Sequence, residues 1–485
     1  MKNVKRYFLS FLAALSIVLL AFGAVKAFAQ DNAPGENDTY DVVLTKVKLS
    51  DLTGWPKQTG VNNEDYTGQK LNVTDYFGSG AKTLANVWFD VYKDTPTGTP
   101  VAGAATGADG TVTFTGLKAG KYYIVENKAK STLTSDEQLA NSAAVPVEIN
   151  LPVFKATGGW YTTGTDAVHV YPKNTVDKPS IDKVVSEDAK HDTALVGETK
   201  TFKVTSTMPE GIKDYKVLKF TDKFSAGLTY TGNLVVKNGG TVVNPSNYST
   251  TGTAAVGTKG AAISIAFNED YIKTLNPKDV ITITYDAVIN EEAVMGAANP
   301  NDVKLTYGTN PDSTKEVKPN ETPELHTGGA KFEKIDKATS AKLAGAKFVV
   351  TNEAGDKYLK QTAASGTTPA KNEWVANKAD ATVFTSAADG TFEVKGLSYG
   401  VKGNDNATGE TKYKLVEVEA PTGYALLQQP VEFTISSTTY TGGINQVNNN
   451  KVTIPQTGGI GSALVIAAGV LVVGLGFIAK RRSAK

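Results

Sequence analysis

Apolar and polar residues alternate with a period of two over most of this chain, the pattern of strands with one buried face. The segments "YDVVLTKVKL", "VGETKTFKVTSTMP", "KDVITITYDAVI" and "DVKLTYGTNP" all read this way. They are bounded by Gly, Asn, Asp and Pro, the residues that build turns. Between the two termini no segment reads as a long amphipathic helix. Two regions repeat one order of elements. "LANVWFDV" (84–91) parallels "LAGAKFVV" (343–350), and "DGTVTFTGL" (109–117) parallels "DGTFEVKGL" (389–397). Next come "KYYIVEN" and "YKLVEVEAPTGY", each with a glutamate in an aromatic strand. One domain type is therefore used twice, at residues 30–175 and 326–453. Residues 176–325 alternate strongly but lack the DG…GL feature, which predicts a second type of sandwich. "NTVDKPS" and "KPNETPELHTGG" serve as linkers. The fold class expected is all-β, three β-sandwiches in tandem.

Composition narrows the partners. The chain has 485 residues, with 50 Lys plus Arg against 49 Asp plus Glu, so charge gives no reason to expect nucleic acid. It has no cysteine, so small exported domains would need some covalent staple other than a disulfide. Both ends read as address labels. Residues 1–29 have a basic start, an apolar run and the small-x-small site Ala27-Phe28-Ala29, the form of a secretory signal peptide. Residues 460–479 are apolar and are followed by "KRRSAK", a membrane-spanning helix with a basic cytoplasmic tail.

Just before that helix stands "IPQTGG". Pentapeptide, apolar span and basic tail, together residues 454–485, resemble the LPxTG-type cell-wall sorting signal of Gram-positive surface proteins. The resemblance implies that a sortase recognises Ile454, Pro455, Gln456, Thr457 and Gly458, cleaves after Thr457, and passes the Thr457 carbonyl to an amine. With "VHVYPKN" at 168–174 and the E-box "YKLVEVEAPTGY", nearly the whole chain resembles Gram-positive backbone pilins. These are sortase-polymerised shaft subunits with Ig-like domains of the collagen-adhesin B, A and B types. Two details depart from that pattern: Val418 stands where Thr follows the E-box glutamate, and Trp160 lies further upstream of the lysine.

Strand parity separates the neighbours Lys173 and Asn174. Asn174 shares a face with Val168 and Val170 and is expected inward. Lys173 shares one with His169 and Tyr171 and is expected outward. By resemblance Lys173 is the pilin lysine, whose amine attacks the thioester of an incoming subunit. It must first lose a proton, although a free lysine titrates near 10.4. The resemblance also implies self-made isopeptide bonds, in which a buried Lys attacks an Asn carboxamide beside a protonated carboxylic acid and ammonia leaves. Parity then selects Lys46, Asn174 and Glu126 in the first domain. In the third it selects Lys334, Glu417 and Asn449, the last in preference to Asn448 and Asn450. In the middle domain it selects Lys183 and Asp222. There the resemblance puts the acceptor at Asn310, which falls on the opposite parity from Leu305 and Tyr307; a bulge could correct this, and Asn301 is the fallback.

Three functions compete. The chain is a pilus shaft subunit, a singly wall-anchored adhesin for host matrix or mucus, or an enzyme. The pilin reading implies a sortase, identical subunits, accessory pilins and peptidoglycan as partners. It places the chain in the membrane only before sortase cleavage and at the wall-anchored cell surface afterwards. The enzyme reading has little support, and no cofactor is expected. His169, His191 and His326 are scattered in sequence, so a shared metal site is not expected either.

Overall fold

The computed structural model describes residues 35, 37–50, 57–134, 138–139, 146–186, 188–252, 256–401 and 409–452. The signal peptide, the pentapeptide Ile454 to Gly458 and the apolar C-terminal segment lie outside the described residues. Six principal sheets form three pairs, each pair enclosing its own apolar cluster.

The first and third sandwiches share a plan. In the first, Thr39–Thr45 lies between Thr111–Lys118, antiparallel, and Val168–Val170, parallel. In the third, Gly328–Asp336 lies between Thr391–Leu397, antiparallel, and Ile444–Asn449, parallel. The opening strand of each domain is thus hydrogen-bonded to its closing strand. A second sheet covers each: Ala102–Ala105, Trp88–Lys93, Gly120–Glu126 and Val147–Leu151 in the first; Lys371–Val375, Tyr358–Thr362, Lys347–Asn352, Glu410–Glu419 and Val431–Ser436 in the third. Parallel pairing of first and last strands needs the chain to return to the same edge, so the residues that close each domain are far apart in sequence and adjacent in space.

The middle sandwich has different topology. One sheet runs Asp182–Val185, Thr199–Thr207, Val280–Ile289, Leu228–Asn238 and Thr241–Val242. The other runs His191–Thr193, Glu324–His326, Asn299–Gly308, Val217–Phe224, Ala262–Phe267 and Tyr248–Thr251. Its core is rich in aromatic residues, among them Phe202, Phe220, Tyr285 and Tyr307.

The first sandwich carries an addition that periodicity did not suggest. Residues 57–81 pack Tyr66, Leu71, Tyr76 and Phe77 against Val47, Leu49 and Tyr171 as a small separate core. Its short helix, Val73–Phe77, starts because the Asn72 side chain accepts from the Thr74 and Asp75 amides. The strand Val176–Asp177 still pairs with Gln138–Leu139 of the first sandwich, just past the boundary expected at residue 175.

Candidate functional site: three buried lysine clusters and one enclosed amine

Lys46, Lys183 and Lys334 are each 0% exposed, and a lysine is almost never found fully buried without a partner. In the first sandwich the Lys46 ammonium hydrogen-bonds the Glu126 carboxylate at short range and donates to Asn174 Oδ1 at 2.6 Å. Asn174 Nδ2 donates to the other Glu126 oxygen at 3.0 Å. Glu126 therefore touches both the amine and the amide nitrogen. In the third sandwich Lys334 Nζ donates to Asn449 Oδ1 at 2.5 Å, and Asn449 Nδ2 lies 2.9 and 3.0 Å from the two Glu417 oxygens. Glu417 is 3.7 Å from Lys334 Nζ and also accepts from the Leu427 amide at 2.8 Å.

The repeated sequence motifs hold these two lysines. Lys46 N donates to Gly110 O and Lys46 O accepts from Leu84 N; Lys334 N donates to Gly390 O and Lys334 O accepts from Leu343 N. The DG turns supply the glycines, and Leu84 and Leu343 open the "LANVWFDV" and "LAGAKFVV" segments that lead into the strands Trp88–Lys93 and Lys347–Asn352. Both glycines are left-handed (φ 76° and 80°), and a Cβ on Gly390 would stand 2.6 Å from Lys334 O. A side chain there would displace the lysine's own backbone.

In the middle sandwich Lys183 Nζ donates to Asp222 Oδ2 at 2.7 Å and to the backbone oxygen of Asn301 at 3.0 Å. The Tyr285 hydroxyl donates to Asp222 Oδ2 at 2.7 Å and accepts from Asn301 Nδ2 at 2.8 Å. Asn301 is fully buried. Asn310 is not in this cluster: its side chain accepts from the Asp312 amide at 2.9 Å in a surface turn. Of the two asparagines weighed for this domain, the cluster holds Asn301, the fallback, and not Asn310. The register is continuous from Val217↔Gly308 to Phe224↔Asn301, and Asn310 lies beyond the end of the strand. Asn301 keeps the parity of Val303, Leu305 and Tyr307, all buried. Tyr285, on the opposing sheet, was not singled out, and its alternating strand carried no sign that its hydroxyl would meet Asp222.

Burial drives the electrostatics. It pushes Lys183 and Lys334 down to about 8 and lowers Lys46, in each case against the pull of the neighbouring acid. Burial also raises the Asp222 carboxyl above its ordinary value. Both shifts favour a neutral amine beside a neutral acid. Burial alone is not the signature. Lys200 is also buried, but its partners are the carboxylates of Asp192 and Glu198, an ordinary ion pair.

Lys173 and Asn174 face different surroundings, as parity predicts. Asn174 joins the buried cluster. Lys173 is half-buried, with its amine donating to Tyr171 O at 2.8 Å and standing 5.2 Å from the Phe77 ring centroid. The face expected to meet solvent is instead covered by the core of residues 57–81. Enclosure lowers this amine to about 8, aided by the nearby charge of Lys46. His191 and His326, although scattered in sequence, come together beside Glu324.

Residues 94–175 match the family model for the Gram-positive pilin subunit D1 N-terminal domain. Residues 328–450 match that for a prealbumin-like fold domain, and residues 446–484 that for the LPXTG cell wall anchor motif. The chain is 26% identical to the fimbrial subunit type 1 of Actinomyces viscosus, over 96% of each chain. It is 23% identical to the trypsin-resistant surface T6 protein of Streptococcus pyogenes, over 58% of this chain and 53% of that one. Among solved structures, the full-length RrgB pilus protein of Streptococcus pneumoniae superposes with a TM-score of 0.64. It has 20% identity and covers 87% of this chain and 100% of its own. The full-length major pilin SpaD of Corynebacterium diphtheriae gives 0.52 at 20% identity, over 87% and 100%. The chain thus carries the N-terminal domain of Gram-positive pilin subunits, a prealbumin-like domain and a cell-wall anchor motif, in that order.

Proposed function

We propose that this chain is the major shaft subunit of a covalently polymerised, wall-anchored pilus, and that Lys173 is its acceptor amine. A sortase cleaves between Thr457 and Gly458 and holds Thr457 as a thioester. Lys173 Nζ attacks the thioester carbon, the C–N bond forms, the sulfur leaves as thiolate, and the amine proton passes to a base. The observation that carries this reading is the enclosure of the Lys173 amine by Phe77 and Tyr171. An amine that titrates near 8 is about one-tenth neutral at pH 7, against roughly one part in 2,500 for an ordinary lysine. The relative named a fimbrial subunit, matched along its whole length, supports the same reading. Accessory pilins and peptidoglycan are the remaining partners that this role implies.

Each domain closes its own cross-link by the same chemistry turned inward. The lysine nitrogen attacks the carboxamide carbon, the new C–N bond forms, and the bond to Nδ2 breaks. Ammonia leaves with the proton taken from the amine, handed across by the acid. The pairs are Lys46–Asn174, Lys183–Asn301 and Lys334–Asn449, with Glu126, Asp222 and Glu417 as the acids. The chain thus acts once on itself and otherwise serves as a substrate.

Blots of cell-wall extracts test the assembly. A ladder of very large species should collapse to monomer in Lys173→Ala while Lys48→Ala leaves it intact. A ladder that survives Lys173→Ala defeats the proposal. A single band in the wild type favours the wall-anchored monomer instead.

A further inference from the structure

We infer that His191, Glu324 and His326 form a transition-metal site of the zinc class where the middle sandwich meets the third. His191 opens the strand His191–Thr193, which runs parallel to Glu324–His326 with His191 opposite Glu324. Alternation along the second strand returns His326 to the face of Glu324. Three ligand atoms, one from each residue, lie within 4.8 Å of one another. Glu324 Oε2 is 3.5 Å from His191 Nδ1 and 3.5 Å from His326 Nε2. Zinc bonds of about 2.0–2.2 Å to nitrogen and carboxylate oxygen place tetrahedral neighbours roughly 3.3–3.5 Å apart. The carboxylate already stands at that spacing from both rings.

The far side of each ring is also arranged for a metal. His191 Nε2 is 3.1 Å from the Glu321 carboxylate, which accepts a proton-bearing nitrogen and leaves the Nδ1 lone pair facing Glu324. His191 Nδ1 has no hydrogen-bond partner although it is buried. His326 Nδ1 is 3.3 Å from the Tyr399 hydroxyl, which can accept from that nitrogen and so turn the Nε2 lone pair toward the same point. Metal-bound histidines characteristically present their second nitrogen to such a group, which sets the tautomer. His191 and Glu324 are half-buried and His326 is buried, so an ion has a way in and only a small wet surface to displace. Three protein ligands leave a fourth position for water.

The site would act on the junction. Tyr399 belongs to the third sandwich, and its amide donates to Thr193 Oγ1 at 2.9 Å. Glu324–His326 leads directly into Gly328–Asp336, the strand that carries Lys334. A bound ion would fasten the early strand His191–Thr193 to this connecting strand, where the middle sandwich leads into the third. It is independent of the covalent assembly proposed above.

Titration of the purified, chelator-stripped full-length protein with zinc chloride should give one site per chain. Binding should weaken at least about ten-fold in His326→Ala and in Glu324→Gln, and more modestly in Glu321→Gln, which alters only the outer partner. Circular dichroism and intact mass of each variant establish that the fold and cross-links remain. Zinc uptake that is absent, or that is undiminished in a His191→Ala/His326→Ala double variant, overturns the inference.

Discussion

The outer and middle sandwiches bury the same trio of side chains but distribute them differently. In the third, lysine and asparagine lie on neighbouring parallel strands of one sheet; in the first, Lys46 sits at the break between Thr39–Thr45 and Val47–Lys48, the latter paired in parallel with the strand of Asn174; in both the acid reaches over from the covering sheet. In the middle, lysine stands on one sheet while acid and asparagine stand on adjacent strands of the other. The cross-link proposed for an outer sandwich would therefore tie its opening region to its closing strand, along the path that a pull on the chain would take. The one proposed for the middle would tie sheet to sheet. The proton path differs with it. Glu126 and Glu417 contact the leaving amide nitrogen directly, at 3.0 and 2.9 Å. Asp222 reaches Asn301 Nδ2 through the Tyr285 hydroxyl. The chemistry requires an amine, a carboxamide and an acid in a dry place, and it does not require one topology.

The largest effect should come from removing an acid. Glu417→Ala should leave the chain one ammonia heavier by intact mass, with the middle bond still formed, and Asp222→Ala should do the converse. The bonds close loops of 128, 118 and 115 residues. Loops of that size imply about 4.7 kcal/mol apiece by the chain-entropy argument, or about 10–20 °C in the melting of the affected domain. Loss of two bonds from one substitution would show that the domains are not independent.

Asn301→Ala and Asn310→Ala sharpen the comparison. The first should abolish the middle bond with the same cost in mass and melting, while the second should leave both unchanged. A middle bond lost in Asn310→Ala would return the acceptor to the strand end and undo the sheet-to-sheet arrangement.

Acidity comes next. The attacking amine must be neutral, and Lys183 and Lys334 titrate near 8. Below that value the neutral fraction falls about ten-fold for each pH unit, and above it the fraction is nearly constant. Bond formation in newly made chain, followed by mass, should therefore accelerate from about pH 6 to about pH 8 and then level. The middle bond also needs its acid protonated, which the burial of Asp222 favours. A rate that rises steadily to pH 10 would mean that burial does not lower these amines.

The smallest effect should be Tyr285→Phe. It removes one hydroxyl between acid and amide, and a hydrogen bond of about 1 kcal/mol corresponds to about a five-fold slower middle bond, with the outer two unaffected. Equal slowing of all three would deny Tyr285 its place as a local relay.

Strand alternation, the repeated DG and Leu-Ala segments, and the inward or outward sense of single residues were already legible in the primary structure. Side-chain direction in a strand is a local property with period two. The inward sense of Lys46, Glu126, Asn174, Lys183, Asp222, Lys334, Glu417 and Asn449 could thus be read from their own neighbours, while the family resemblance supplied the reason to group them. Contacts made across sheets or by inserted segments depend on where distant strands come to rest. Asn301 rather than Asn310, the Tyr285 hydroxyl between acid and amide, the core of residues 57–81 closing over Lys173, and two histidines 135 positions apart meeting at Glu324 were decided by tertiary structure. Periodicity determines which way a residue points, and packing determines what it meets there.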